Sequence, residues 1–193
     1  MESQDYPGNG ASGLHASPSF LVILMLLSTI AATVRAEVLD AAPGGFSTQS
    51  VLETPRSRIE VFDAFVNNIG AWWNPDHTVS GTAEALYLEP RPMGCFCESL
   101  GSGAGLVHMT VTFVNPGVLL RLSGGLGPLG LLGTSGNMTI EFEDVDVGTR
   151  VTLRYVVGGY APDGLASLAG PVDSVLGDQL RRFGIFLEQN PAP

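Results

Sequence analysis

The spacing of apolar residues changes along this chain, and the last change constrains the fold most. From Glu84 to Gly158 apolar positions recur at every second residue, the period of half-buried strands. From Pro171 onward the period becomes helical, with Val172, Val175, Leu176, Leu180, Phe183 and Leu187 on one stripe. Six strands are expected before that helix: Glu84–Glu89, Cys95–Leu100, Leu106–Asn115, Val118–Ser123, Met138–Val145 and Thr149–Gly158. Turns such as Asn115-Pro116-Gly117 and Asp146-Val147-Gly148 separate them, too short for anything but antiparallel neighbours. Alternation sets Val107, Met109, Val111 and Phe113 on one face, and Val151, Leu153, Tyr155 and Val157 opposite Thr152 and Arg154. One face of the sheet is therefore wet and the other covered, and the terminal helix is the available cover.

Upstream, Phe46–Glu53 has strand character. Thr54 and Pro55 then suit a helix N-cap and first turn. Ile59, Phe62, Phe65, Val66 and Ile69 follow at helical spacing, and Gly70 closes the helix. A second short helix over Ala71–Asn74 stops at Pro75. The expected architecture is α+β: a curved antiparallel sheet of six to seven strands around a long C-terminal helix, with two short helices after the first strand.

The first 36 residues differ from the rest. Phe20–Val34 is an apolar run shorter than the roughly 20 residues of a membrane-spanning helix, and Val34-Arg35-Ala36 fits a signal-peptide cleavage site. The n-region carries Glu2 and Asp5 but no cation, so an uncleaved anchor or a misplaced start are the other readings. The expected organisation is a leader over 1–36, a linker over 37–45 and one domain over 46–189, in the periplasm or secreted. A net charge of −10, with no lysine anywhere, argues against nucleic acid and against anionic membrane beyond the leader. It also excludes lysine-based chemistry.

Cys95 and Cys97 are the only cysteines. On a regular strand their α-carbons would stand ~6.6 Å apart with side chains on the same face, so free buried thiols are expected. No second CxC or HxH pair completes a metal site, no cofactor fingerprint is present, and no catalytic triad is evident from spacing. The catalytic candidates are His77, beside Asp76, and Glu98, while His108 alternates onto the polar face.

Three segments carry a resemblance: FDAFVNNIGAWWNPDHTVSG (Phe62–Gly81), LYLEPRPMGCFCE (Leu86–Glu98) and GTRVTLRYVVGGYAP (Gly148–Pro162). They resemble the helix-grip (SRPBCC) superfamily, in particular polyketide cyclase-like proteins and the activator domain of the ninety-kilodalton heat-shock chaperone's ATPase. The similarity runs over Phe46–Gln189; Cys95 and Cys97 depart from it, where relatives often carry Gly-Arg-Phe or an aromatic residue. The resemblance implies a cavity between sheet and long helix. A sheet curled around one helix cannot meet it everywhere, so the same expectation follows from packing. The candidate lining is Trp72, Trp73, Met109, Phe113, Leu122, Met138, Tyr155, Tyr160, Leu176 and Leu180. Gly124–Gly133, apolar yet too rich in glycine for a helix or strand, offers Leu129 and its neighbours either as a lid or as packing against the terminal helix. The expected function is binding of a small hydrophobic molecule. The alternatives are cyclase- or dehydratase-like catalysis through His77 or Glu98, and a chaperone-interaction module.

Overall fold

The computed structural model describes residues 34–190. Eight strands form one curved antiparallel sheet: β1 (Val34–Ala42), β2 (Gly45–Thr54), β3 (Leu86–Leu88), β4 (Cys95–Gly101), β5 (Ala104–Asn115), β6 (Leu119–Ser123), β7 (Gly133–Val145) and β8 (Gly148–Tyr160). Their spatial order is β1-β2-β8-β7-β6-β5-β4-β3. The chain therefore makes the β1–β2 hairpin at one edge, crosses through α1 (Arg58–Asn67) and α2 (Ile69–Trp72), and returns strand by strand from the other edge. The long helix α3 (Ala169–Gln189) lies over β1 and β2.

The sheet has one strand more than expected, and that strand is β1. Residues 37–45, read as a linker, are most of this edge strand and its turn, paired from Val34↔Leu52 to Ala42↔Gly45 with one register shift between Val38 and Asp40. The sequence VRAEVLDAA hides it because most of the strand is exposed and shows no alternation. What holds it is the backbone ladder and its packing under α3, with Val34 against the core. Gly177 sits in the middle of α3, where glycine costs about 1 kcal/mol relative to alanine. A Cβ there would stand 2.8 Å from the Cβ of Ala36. The expected cleavage position after Ala36 thus falls inside β1, while Phe20–Thr33 of the apolar run lies outside the described residues. Among the described residues no helix is long and apolar enough to cross a membrane.

The first helix also begins later than expected. Thr54 is still paired with Thr149 in the sheet, so Ser57 takes the N-cap position instead. Its backbone N–H donates to the Glu60 carboxylate at 3.1 Å, closing a capping box. Ile59, placed on the apolar stripe by spacing, is exposed, whereas Phe62 and Phe65 are buried.

Those two rings begin an aromatic cluster that joins every layer. Phe62 and Phe65 stand edge-on to Phe142 of β7 at 5.4 and 5.9 Å between centroids. Phe183 of α3 lies 5.2 Å from Phe65 and 5.1 Å from Trp72. One turn further on, at the C-terminal end of α3, the Arg56 guanidinium donates to the carbonyls of Leu187 and Asn190, satisfying acceptors the helix end leaves open.

Two bulges on β5 overturn the simple alternation. Phe96 and Cys97 are consecutive on β4 but pair with Met109 and Val107, so His108 is an extra residue on β5. Val111 and Phe113 pair with the consecutive Leu122 and Arg121, making Thr112 a second one. Each extra residue shifts the rest of the strand to the other face. Val107 and Phe113 consequently point outward, and His108 is turned inward. Opposite the first bulge the strand pair is locally bent, and the α-carbons of Cys95 and Cys97 come to 5.4 Å. That separation lies within bridging range, and the two cysteines form a disulfide rather than the expected free thiols.

Alkylation of the unreduced protein is accordingly expected to label neither cysteine, with a two-dalton mass deficit against the reduced chain. Phe183→Ala, which empties the junction of α1, α2, α3 and the sheet, is expected to cost about 3–5 kcal/mol, read as a lowered urea midpoint.

Candidate functional site

The C-terminal end of α2 starts the site. Trp72 turns into the aromatic core, while Trp73, next in sequence, leans over Phe96 of β4 at 5.1 Å between centroids. Asn74 then ties this turn to α3. Its backbone N–H donates to Gln179 Oε1 at 2.8 Å and its side-chain amide to Asp178 Oδ2 at 3.0 Å. Its own Oδ1 accepts from the Asp76 N–H at 3.0 Å. Burial pushes the Asp178 carboxyl up, but hydrogen bonds from Arg181, Arg182 and Asn74 outweigh it and hold the group down at about 2.

A second wall is the loop Gly124–Gly133, which contains a 3-10 turn over Gly127–Leu131. Tyr155 of β8 pins its base: the phenol accepts from the Leu126 N–H at 3.0 Å and donates to Gly124 O at 2.9 Å. Burial raises the pKa of this phenol, so it stays protonated in both roles. Gly136 makes room for the ring; a Cβ there would lie 2.5 Å from Tyr155 Cε2. Leu129 packs inward at 3% exposure, its carbonyl accepting from Thr134 Oγ1 at 2.8 Å, whereas Leu131 is 90% exposed. The loop therefore has an anchored base and a free apolar tip.

Between this loop, the N-terminal half of α3 and the ends of β4 and β5 opens a cleft of about 650 Å³. Its walls are mostly apolar, and the short segment Asp76–Val79 forms its rim. His108 stacks against Phe96 at 4.9 Å between ring centroids. Its Nε2 is 2.9 Å from Glu98 Oε2, and Glu98 is sealed at 1% exposure. The same carboxylate accepts from the backbone N–H of Val79 at 3.1 Å and from that of Ser80. Burial pushes the Glu98 pKa up, but hydrogen bonds from Ser80, Val79 and His108 overcome this and bring it to about 2. Glu98 is thus an ionised acceptor, and His108 donates Nε2–H to it.

Of the expected lining residues, Trp73, Leu129, Tyr155 and Leu176 border this cleft. Trp72, Met109, Leu122, Met138 and Leu180 are buried but do not border it. Phe113 and Tyr160 are solvent-exposed instead, Phe113 through the second bulge and Tyr160 as the last residue of β8. His77 stands at the exposed rim, and Glu98 lies behind His108 rather than on the surface of the cleft. The residue missed from sequence is His108 itself, because alternation ignores bulges. A usable signal was present: Glu98 and His108 are ionisable residues on the two strands of one hairpin, in otherwise apolar surroundings. Among the described residues no group of three or more His, Cys, Asp or Glu is placed to hold a metal ion.

No family model matches the chain, and no curated protein matches its sequence. Solved structures do share its fold. A conserved protein of unknown function from Enterococcus faecalis superposes with a TM-score of 0.55 at 11% identity, over 84% of this chain and 80% of its own. An uncharacterised protein from Rhizobium leguminosarum gives 0.54 at 18% identity, over 82% and 99% respectively. A protein from Rhodobacter sphaeroides gives 0.53 at 14%, over 80% and 99%. At these identities the likeness is one of fold.

The depressed Glu98 carboxyl has a consequence for acid stability. Its folded value of about 2 lies below its usual 4.5, so it stabilises the fold above that usual value, and the contribution is lost as pH falls from about 4.5 toward 2. Asp178, at about 2 against 3.8, acts in the same direction over the lower part of that window. Urea unfolding is expected to show stability declining across this range. Glu98→Gln is expected to cost about 3 kcal/mol at neutral pH and to flatten the decline.

Proposed function

We propose that this chain is an exported member of the helix-grip superfamily that holds a small apolar molecule in the cleft beside α3. The observation that carries the reading is the cleft itself, of about 650 Å³ and walled mainly by apolar side chains under a loop fixed at its base. That volume falls within the few-hundred to roughly 1,000 Å³ typical of small-molecule sites. The free tip at Leu131 supports a lid: a cover over an occupied site needs an apolar residue that is not already packed. A location outside the cytoplasm fits the Cys95–Cys97 disulfide, since such bonds persist in oxidising compartments. One observation favours catalysis as a second reading, the imidazole–carboxylate pair at the cleft. In that reading His108 moves the proton, because Glu98 is sealed and held ionised, while His77 stands at the wet rim.

The test is uptake. Organic extraction of the purified full-length protein is expected to release an apolar compound, and the emptied protein to brighten the neutral dye N-phenyl-1-naphthylamine. No bound compound together with no dye uptake overturns the proposal. The lid separates into two variants. Leu131→Ser is expected to weaken uptake several-fold while shifting unfolding by no more than about 0.5 kcal/mol, as for other exposed positions. Leu129→Ser is expected to cost about 2–5 kcal/mol of stability, as for a core truncation.

A further inference from the structure

Resting on that reading of the cleft, we propose that His108 Nδ1 is its recognition point, and that the molecule it takes is an apolar ring compound bearing a hydroxyl donor. Most side-chain donors at the cleft are already engaged. The Trp73 indole N–H donates to His77 O at 3.2 Å. Thr78 donates its hydroxyl to Pro75 O at 2.7 Å, and Tyr155 donates its own to Gly124 O at 2.9 Å. The donors of these three side chains are therefore committed to the backbone. His108 differs. Its Nε2 faces Glu98, while Nδ1 has no hydrogen-bond partner among the described residues. The ring borders the cleft and is stacked on Phe96, so its orientation is fixed before any ligand arrives.

The chemistry of the free nitrogen is set by the partner of the other one. Glu98 already accepts from two backbone N–H groups and from Nε2, an arrangement suited to a carboxylate. When the ring carries a single proton and that proton is on Nε2, facing Glu98, Nδ1 has a lone pair and accepts. An acceptor that opens onto apolar walls favours a ligand that brings a donor to it, and is left unpaired by one that seals it without doing so. A hydroxyl on an apolar ring meets both demands. A carboxylate brings no donor to Nδ1 and finds no lysine or arginine bordering the cleft, only the imidazole of His77 at the rim beside Asp76.

The test uses three probes of one shape with the full-length protein: 2-naphthol, 2-methoxynaphthalene and 2-naphthoate. The expected result is 2-naphthol bound about tenfold more tightly than 2-methoxynaphthalene, the effect of one hydrogen bond made or lost against an apolar wall. Naphthol is a photoacid, so its bound form is expected to emit as naphtholate, reporting proton transfer to a base inside the site. In His108→Phe the affinity ratio is expected to fall to about one and the naphtholate emission to disappear. Glu98→Gln, whose amide can donate to Nε2 and move the ring proton to Nδ1, is expected to abolish the preference for the naphthol. Equal binding of 2-naphthol and 2-methoxynaphthalene by the unmodified protein overturns the role of His108 and leaves the cleft as an apolar binding site. Tighter binding of 2-naphthoate overturns it too, by showing an imidazolium. Exclusion of all three probes overturns the reading of the cleft along with it. The comparison in the unmodified protein decides the matter even if a variant does not fold.

Discussion

The seating of α3 on the β1–β2 end of the sheet determines most of what this molecule presents. One helix of 21 residues cannot cover eight strands, so the remaining inner face needs other material. Part of the need is met by α1 and α2, whose Phe65 and Trp72 meet Phe183 of α3. At the ends of β4 and β5, beside the N-terminal half of α3, nothing equally bulky intervenes, and the cleft opens there. The position of α3 depends in turn on small details: Gly177 lets Ala36 approach, and Arg56 satisfies the carbonyls at the helix end. The site is thus a consequence of how the helix is held, not an addition to the fold.

Three buried polar side chains, Glu98, Tyr155 and Asn74, organise the segments around the cleft. Glu98 holds Val79 and Ser80 in place, setting the rim, and aligns His108 at the same time. Tyr155 holds the base of the glycine-rich loop through Leu126 and Gly124. Asn74 joins the tryptophan turn to α3 through Gln179 and Asp178. Around an apolar cleft such contacts matter because hydrophobic packing is non-directional, whereas a satisfied hydrogen bond fixes position. The two walls and the rim are therefore set independently of any occupant.

Local irregularities of the sheet decide the chemistry. Without the bulge at His108, the imidazole would face solvent, and the cleft would lack the Glu98–His108 pair. The same bend accompanies the short Cys95–Cys97 separation that permits the disulfide. Phe96 lies between the two cysteines in sequence and against both Trp73 and His108 in space, so the bridge braces the strand that carries the aromatic side of the site.

What the sequence by itself determined was the class of fold. The change of apolar period before the terminal helix, the turn residues between strands and the helical spacing of Phe62, Phe65 and Val66 act within a few residues of one another, and such signals survive without tertiary context. They were enough to place β2 to β8 and all three helices, and to mark Trp73, Leu129, Tyr155 and Leu176 for what became the cleft. The tertiary structure alone decided the rest. β1 is a strand because β2 pairs with it and α3 covers it, although its own residues show no strand period. Phe113 faces water and His108 faces inward because a bulge depends on the partner strand, which alternation in one segment does not record. Glu98 is an ionised anchor rather than a proton donor because Val79, Ser80 and His108, far from it in sequence, converge on it in space.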